Sequence, residues 1–231
     1  ALKHLQHALQ INPASSQVRK KLAAVFLKQG DLESAQIQYK WLANDSSNKA
    51  QQARYQAELA LLRDDLETAI AQLQTAVKKS NGNDLESWQR LAYVYSKSGQ
   101  VTQALTEYES LLTTHPNDAA SLVGAAVASI ELLQADKAEK YLKLATDQGS
   151  SDPHAWFTLG RLREAQAKPD EAAEAYQNAL SIKPDYHEAA LKLAIIKRQQ
   201  GEPETAEKLY RAILFHTPRY SLARYNLGVV L

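Results

Sequence analysis

The 231-residue chain has no cysteine, no methionine, only eight glycines and seven prolines, and charges that nearly cancel at a formal net +1. Without cysteine there are no disulfides and no thiolate zinc sites, although the compartment stays open. A balanced charge argues against nucleic acid as the main partner, because phosphate binding draws on a basic surface. No apolar run approaches the roughly 20 residues that span a bilayer, and no signal segment is visible, so direct membrane insertion is not expected. The few glycines fall at turns or close-packing positions and assemble no phosphate-cradling loop. A composition 45% hydrophobic and 23% charged is that of an ordinary soluble protein, with cytoplasm and periplasm both open.

What the chain does have is a period. An alanine recurs at Ala35, Ala69, Ala104, Ala138, Ala172 and Ala206, in steps of 34, 35, 34, 34 and 34 residues. Four residues after each comes a large side chain: Tyr39, Leu73, Tyr108, Leu142, Tyr176 and Tyr210. One helical turn separates the two, so they share a face. Twelve residues before each alanine stands a small residue, Ala23, Ala57, Ala92, Ala126, Gly160 and Ala194, and the next step lands on Gly228. If about one residue in four were Ala or Gly, seven such hits would arise by chance about once in ten thousand frames. A fixed period of this length is the mark of a solenoid, in which each unit buries its apolar face only against its neighbours.

Each unit holds two stretches with apolar residues three and four apart, such as Leu22, Val25 and Phe26, then Leu32, Ala35, Tyr39 and Leu42. That is the spacing of amphipathic helices. Breakers lie between them at Gln29-Gly30-Asp31, Ser98-Gly99-Gln100 and Gly201-Glu202-Pro203. The units are therefore read as antiparallel helix pairs, with small residues where two helices approach closely. A bulkier side chain there would carry an overpacking cost of about 1 to 3 kcal/mol.

The best units also read Trp88, Leu91, Ala92, Tyr95 and Trp156, Leu159, Gly160, with Pro116, Pro184 and Pro218 closing three of them. This pattern resembles the tetratricopeptide repeat. The resemblance implies an all-α fold: a right-handed α-solenoid, or superhelix, of antiparallel helix-turn-helix units. The frame places complete units at 16–49, 50–83, 85–118, 119–152, 153–186 and 187–220, with Asp84 as a one-residue insertion. Residues 1–15, with Ala1, Leu5, Ala8 and Pro13 in register, supply a second helix only; residues 221–231 supply a first helix only. Natural arrays carry polar capping units, and Leu227, Val229, Val230 and Leu231 do not form one. The chain is thus expected to be a piece of a longer array, whose open ends leave self-association available.

Candidate chemistry is sparse. His4 and His7 could share a helix face but have no third ligand beside them, and no His-Glu-x-x-His element exists, so no metal site is expected. His115 and His216 fall at the ends of second helices, where a cation suits the dipole. His154 and His187 open first helices and read as solvated. Nothing pairs a nucleophile with a base, so the chain reads as non-enzymatic, with no cofactor. Arg163 and Lys197 stand where the repeat usually has Tyr, and their stems are expected to pack while their charges snorkel outward. The second unit, with Gln56 and Asp64 in place of the aromatic and the Gly, reads as the least stable link.

By resemblance, the inner surface of such an array is lined by the second, fifth, ninth and twelfth residues of each first helix. Early units present Gln17, Lys20, Arg54, Glu58, Gln89 and Ser96, a polar wall with Tyr93 as its aromatic exception. Later units present Val123, Val127, Ile130, Phe157, Leu191, Ile195, Tyr225 and Val229, interrupted by Arg161, Glu164 and Arg198. So many large apolar groups at solvent-facing positions imply that something covers them. Either a partner helix or extended segment docks there, anchored by Phe157 and Tyr225 with the arginines orienting acidic groups, or another part of a longer parent chain folds over the face; a frame misplaced by one position would also produce the pattern. Two family activities find no support. The two-carboxylate clamp of co-chaperone members would need Lys, Asn, Asn, Lys and Arg where this chain has Lys20, Ala24, Tyr55, Glu86 and Arg90. The asparagine ladder of O-linked N-acetylglucosamine transferases is replaced by Lys21, Tyr55, Arg90, Gly124, Thr158 and Lys192 before Asn226. The expectation is a non-enzymatic scaffold for protein or peptide partners. The alternative is the targeting arm of a larger glycosyltransferase- or sulfotransferase-like enzyme, or of a bacterial exopolysaccharide or secretion apparatus.

Overall fold

A computed structural model of the chain describes residues 2–45, 48–147 and 152–230; the expectations for Ala1 and Leu231 lie outside them. Among the described residues there are fourteen helices and no strand. In order they are α1 (Leu2–Ile11), α2 (Ser16–Lys28), α3 (Leu32–Asp45), α4 (Lys49–Leu61), α5 (Leu66–Lys79), α6 (Leu85–Lys97), α7 (Val101–Thr114), α8 (Ala119–Glu131), α9 (Ala135–Asp147), α10 (Pro153–Ala165), α11 (Pro169–Ile182), α12 (His187–Gln199), α13 (Pro203–His216) and α14 (Ser221–Val230).

Local chemistry sets most of the boundaries. Asn48, Asp65, Asp84, Asp118 and Asp152 cap the helices that follow them, each side chain accepting from a backbone N–H of the first turn. Pro153, Pro169 and Pro203 sit in the first turn of their helices, where a missing N–H costs nothing. The first helix of each pair ends in one recurring turn. Gly30, Asp64, Gly99, Leu133, Ala167 and Gly201 all have φ between 57° and 80°. The next residue then donates to the carbonyl five positions back, as in Asp31 to Phe26, Gln134 to Ser129 and Glu202 to Lys197.

The chain divides into two compact units, residues 1–107 and 108–231, with the boundary inside α7. Within the first, α1 to α6 pack in sequence, each on the next. Within the second, α8 to α14 pack in sequence, and α10 also touches α8 while α14 touches α12. First helices of the second unit therefore follow one another along one side.

The periodic alanines Ala35, Ala69, Ala104, Ala138, Ala172 and Ala206 are all 0% exposed. In the other small-residue column, Gly160 shows why bulk is excluded: a Cβ there would lie 2.5 Å from the Tyr176 ring. Gly124, unremarked in the periodic pattern, does the same for Tyr108, with an added Cβ 2.3 Å from the ring. The largest buried cluster gathers Tyr176, Tyr186, Leu193, Ile196, Tyr210 and Ile213, with Trp156 and Phe157 packed against it. Arg163 departs from expectation. Its guanidinium is largely buried, held by Glu139 and Glu171 at 2.9 Å each, so the charge is matched in place and does not snorkel.

Candidate functional site

In residues 1–107 the first-helix side chains face charges of opposite sign on the neighbouring first helix. Arg54 on α4 is 9% exposed and reaches Glu86 at 2.5 Å and Asp84 at 3.5 Å. One turn along, Glu58 receives both Nε and Nη2 of Arg90, at 2.9 and 2.8 Å, the fork geometry that makes arginine pairs specific. Arg90 also lies over the half-exposed Tyr93 ring, 5.4 Å from its centroid, and Lys20 lies 5.5 Å from the centre of Tyr55. Gln89 is half-buried. The structure thus brings Arg54, Glu58 and Tyr93 into a network of internal pairs, and Asp84, Glu86 and Arg90 join it. Sequence reading passed over this network, although opposite charges 32 residues apart, near the repeat length, were its signal.

In residues 108–231 the corresponding face is apolar and mostly half-buried. Val123, Val127 and Ile130 on α8 are partly covered, Val123 and Ile130 by adjoining core clusters. Phe157 on α10 lies against Tyr176 and Tyr186, with ring centroids 5.6 and 5.0 Å apart. Leu191 on α12 is buried, Ile195 packs partly on the same cluster, and Tyr225 on α14 is 72% exposed. Val229 and Leu222 join Tyr225 as half-exposed apolar side chains of α14. The open apolar surface thus gathers at α14, and the middle of the face is already part of the core. Phe157 is correspondingly a packing residue as well as a candidate anchor.

The charges of this second face are distributed differently. Glu164 accepts from Tyr176 Oη at 2.5 Å and pairs with Lys192 at 3.0 Å. Burial, reinforced by Glu164, pushes the Tyr176 hydroxyl far above its ordinary value, so it remains a donor. Tyr141 repeats this on a neighbouring helix: burial and its bond to Glu109 push it to about 12. Arg161 is exposed and makes no ion pair or hydrogen bond with another described residue. Arg198 is half-buried, and its Nε is shut off from solvent without a hydrogen-bond partner.

Of the two histidines expected to be solvated, His154 is exposed and His187 half-buried, and both also hold a hydrogen bond. His154 Nδ1 pairs with Tyr186 Oη at 2.9 Å, and His187 Nε2 with Thr217 Oγ1 at 3.0 Å, because each opens a first helix beside the end of a neighbouring second helix. His187 also stacks on His216 with centroids 6.1 Å apart. Among the described residues no group of three or more His, Asp or Glu could hold a metal ion. No helix among them is long and apolar enough to cross a membrane. A cleft of about 370 Å³ lies between α11 and α12, floored by Ala173 and Leu193, and none of its lining residues belongs to the first-helix face described above.

A family model described as tetratricopeptide repeat matches residues 95–162 and 163–226, together more than half of the chain. The BBSome complex member BBS4 homolog of Drosophila melanogaster is 21% identical over 241 residues, an alignment that takes in 100% of this chain and 50% of that protein. The chain therefore spans half the length of this curated relative. Among solved structures, the APC/C hetero-tetramer Cut9-Hcn1 matches 98% of this chain and 45% of its own at a TM-score of 0.75 and 14% identity. PilW, described as a widely conserved type IV pilus biogenesis factor, matches 92% of this chain and 98% of its own at 0.72 and 15%. At these identities the likeness is one of fold.

Proposed function

Because the chain belongs to the tetratricopeptide-repeat family and is thereby a protein-interaction scaffold, we propose that its docking surface is the first-helix face of residues 108–231, and that it takes a helix or extended segment of a protein partner. The observation that carries this reading is the gathering of Leu222, Tyr225 and Val229 as exposed apolar side chains on α14, continuous along the frame with Ile195 on α12. Arg161 and Arg198 on the same face add cations that the chain itself leaves unmatched. The matching face of residues 1–107, whose arginines are paired internally, is a spacer in this reading. The chain itself is proposed to carry no catalytic activity.

A second reading, a recruitment arm within a larger protein, is favoured by one observation: the chain matches only half the length of its fly relative, itself described as a complex member. The two readings are compatible, because an arm also needs a docking face.

The test uses a partner that co-purifies with the full-length protein. Tyr225→Ala is expected to weaken its binding about tenfold, the scale of a truncated aromatic anchor, while the melting temperature stays unchanged because the ring is 72% exposed. Unaltered calorimetric affinity for both Tyr225→Ala and Ile195→Ala would contradict the assignment.

A further inference from the structure

Tyr176 on α11 and Tyr210 on α13 stand 34 residues apart and are both fully buried, yet their hydroxyls meet different surroundings. Tyr176 Oη donates to Glu164 Oε2, and Lys192 Nζ reaches the same oxygen. Tyrosine, carboxylate and cation form a closed set, each polar group answered. Thirty-four residues beyond Glu164 stands Arg198, so the position that holds the acid in one repeat holds a guanidinium in the next. Tyr210 Oη and Arg198 Nε are both shut off from solvent, and neither has a hydrogen-bond partner among the described residues. Each is a buried polar group left without a partner, which is destabilising until one arrives. The frame sets Tyr210 and Arg198 at the places where Tyr176 and Glu164 meet one repeat earlier, and there burial raises the Tyr210 hydroxyl above its ordinary value while the Arg198 charge works against that rise. On neighbouring α10, Arg161 is exposed and unpaired, whereas the charge of Glu164 is already matched by Lys192. The face therefore carries unmatched cations, and its acid Glu164 is already paired.

We propose that Arg198 and Tyr210 form a receptor for a carboxylate, supplied by a Glu or Asp side chain of the segment docked on this face; the proposal rests on the reading of that face as the docking surface. The acid first accepts N–H bonds from the half-buried Arg198 guanidinium and, as that side chain swings outward with it and uncovers Tyr210, takes the hydroxyl O–H as well, reproducing the set that Tyr176, Glu164 and Lys192 form within the chain. Arg198 is only partly buried, so its guanidinium is the point of entry. Ile195, one turn earlier on α12, and Tyr225 on α14 supply the apolar flank for the rest of the segment.

The test needs no partner, and so fails independently of the docking reading. N-acetyl-glutamate N-methylamide is titrated into the chain at constant ionic strength, and the arginine side-chain Nε–Hε resonances are followed by NMR. The Arg198 resonance is expected to shift saturably, and the glutamine analogue to leave it in place. Equal responses to both, or none, would overturn the proposal. A larger shift with N-acetyl-glutamine, whose only acid is its terminal carboxylate, would overturn the assignment to a side chain. Arg198→Glu serves as the second variant. It returns an acid to the Tyr210 hydroxyl, so it is expected to raise the melting temperature and abolish the titration; a lower melting temperature would show that Tyr210 Oη is not aimed at this position.

Discussion

The two compact units use one frame and treat the arginines of their first-helix face in opposite ways. In residues 1–107, Arg54 faces Glu86 and Arg90 faces Glu58, so both arginines have an acid on the neighbouring first helix. In residues 108–231, Arg161 has no acid and Arg198 has none at its buried Nε, and between them Leu191 and Ile195 replace polar residues. Since both faces belong to the same kind of repeat, packing alone does not dictate the second arrangement. Internal charge pairing marks a face that is complete by itself. Unmatched cations beside exposed apolar groups mark one that is completed by something else.

The largest effect is expected at Arg54. Its side chain is 10% exposed and holds two acids, so Arg54→Ala should cost about 2 kcal/mol, below the range for a fully buried pair because Glu86 is exposed. Arg161→Ala, on the other face, should stay within about 0.5 kcal/mol. Denaturant unfolding of both variants checks the contrast, and equal losses would erase it.

Packing offers a second contrast. The small-residue column is alanine at Ala23, Ala57 and Ala92 but glycine at Gly160, where the Tyr176 ring leans in. Gly160→Ala should therefore destabilise by about 1 to 3 kcal/mol. Gln177→Ala, at an exposed position of the α11 helix that carries Tyr176, should instead stay within about 0.5 kcal/mol. Thermal melts that move equally for both would refute the ring contact.

A smaller effect separates the paired tyrosines. Tyr176→Phe loses a hydrogen bond to a carboxylate and should cost about 1.5 kcal/mol, whereas Tyr210→Phe removes an unpaired hydroxyl and should be neutral within about 0.5 kcal/mol. The smallest effect is in pH. The hydrogen bond from Arg163, aided by its charge, holds the Glu139 carboxyl below its ordinary value despite some desolvation. A depressed acid contributes stability above its unfolded pKa of about 4.3, and that contribution is lost as pH falls through the lower folded value. Acid titration from about pH 5 to pH 3 should thus destabilise the wild type more than Glu139→Gln.

Much of the fold was legible because a solenoid writes its packing into a period. The alanines at 35, 69, 104, 138, 172 and 206 are buried as their spacing implies, and Gly30, Gly99 and Gly201 occupy the left-handed turns that end first helices. Leu133 and Ala167 occupy the same turns without any local sign, since neither residue favours positive φ; only the repeat places them there. Gly124 was passed over because it lies outside the alanine columns, and only the geometry of the Tyr108 ring reveals its role. The candidate face was legible as a set of positions. Its internal pairing was not, because Arg54 and Glu86 lie 32 residues apart and meet only once adjacent helices are stacked.

The central claim is that the face of residues 108–231 is completed by a partner. It is tested most directly by placing a photoreactive amino acid at Ile195, Tyr225, Tyr93 or the exposed outer position Gln177 of the full-length protein and irradiating in the native host. One shared cross-linked partner is expected from Ile195 and Tyr225 and none from Tyr93 or Gln177. The same partner captured from Tyr93 or Gln177, with nothing from Ile195 and Tyr225, would contradict it.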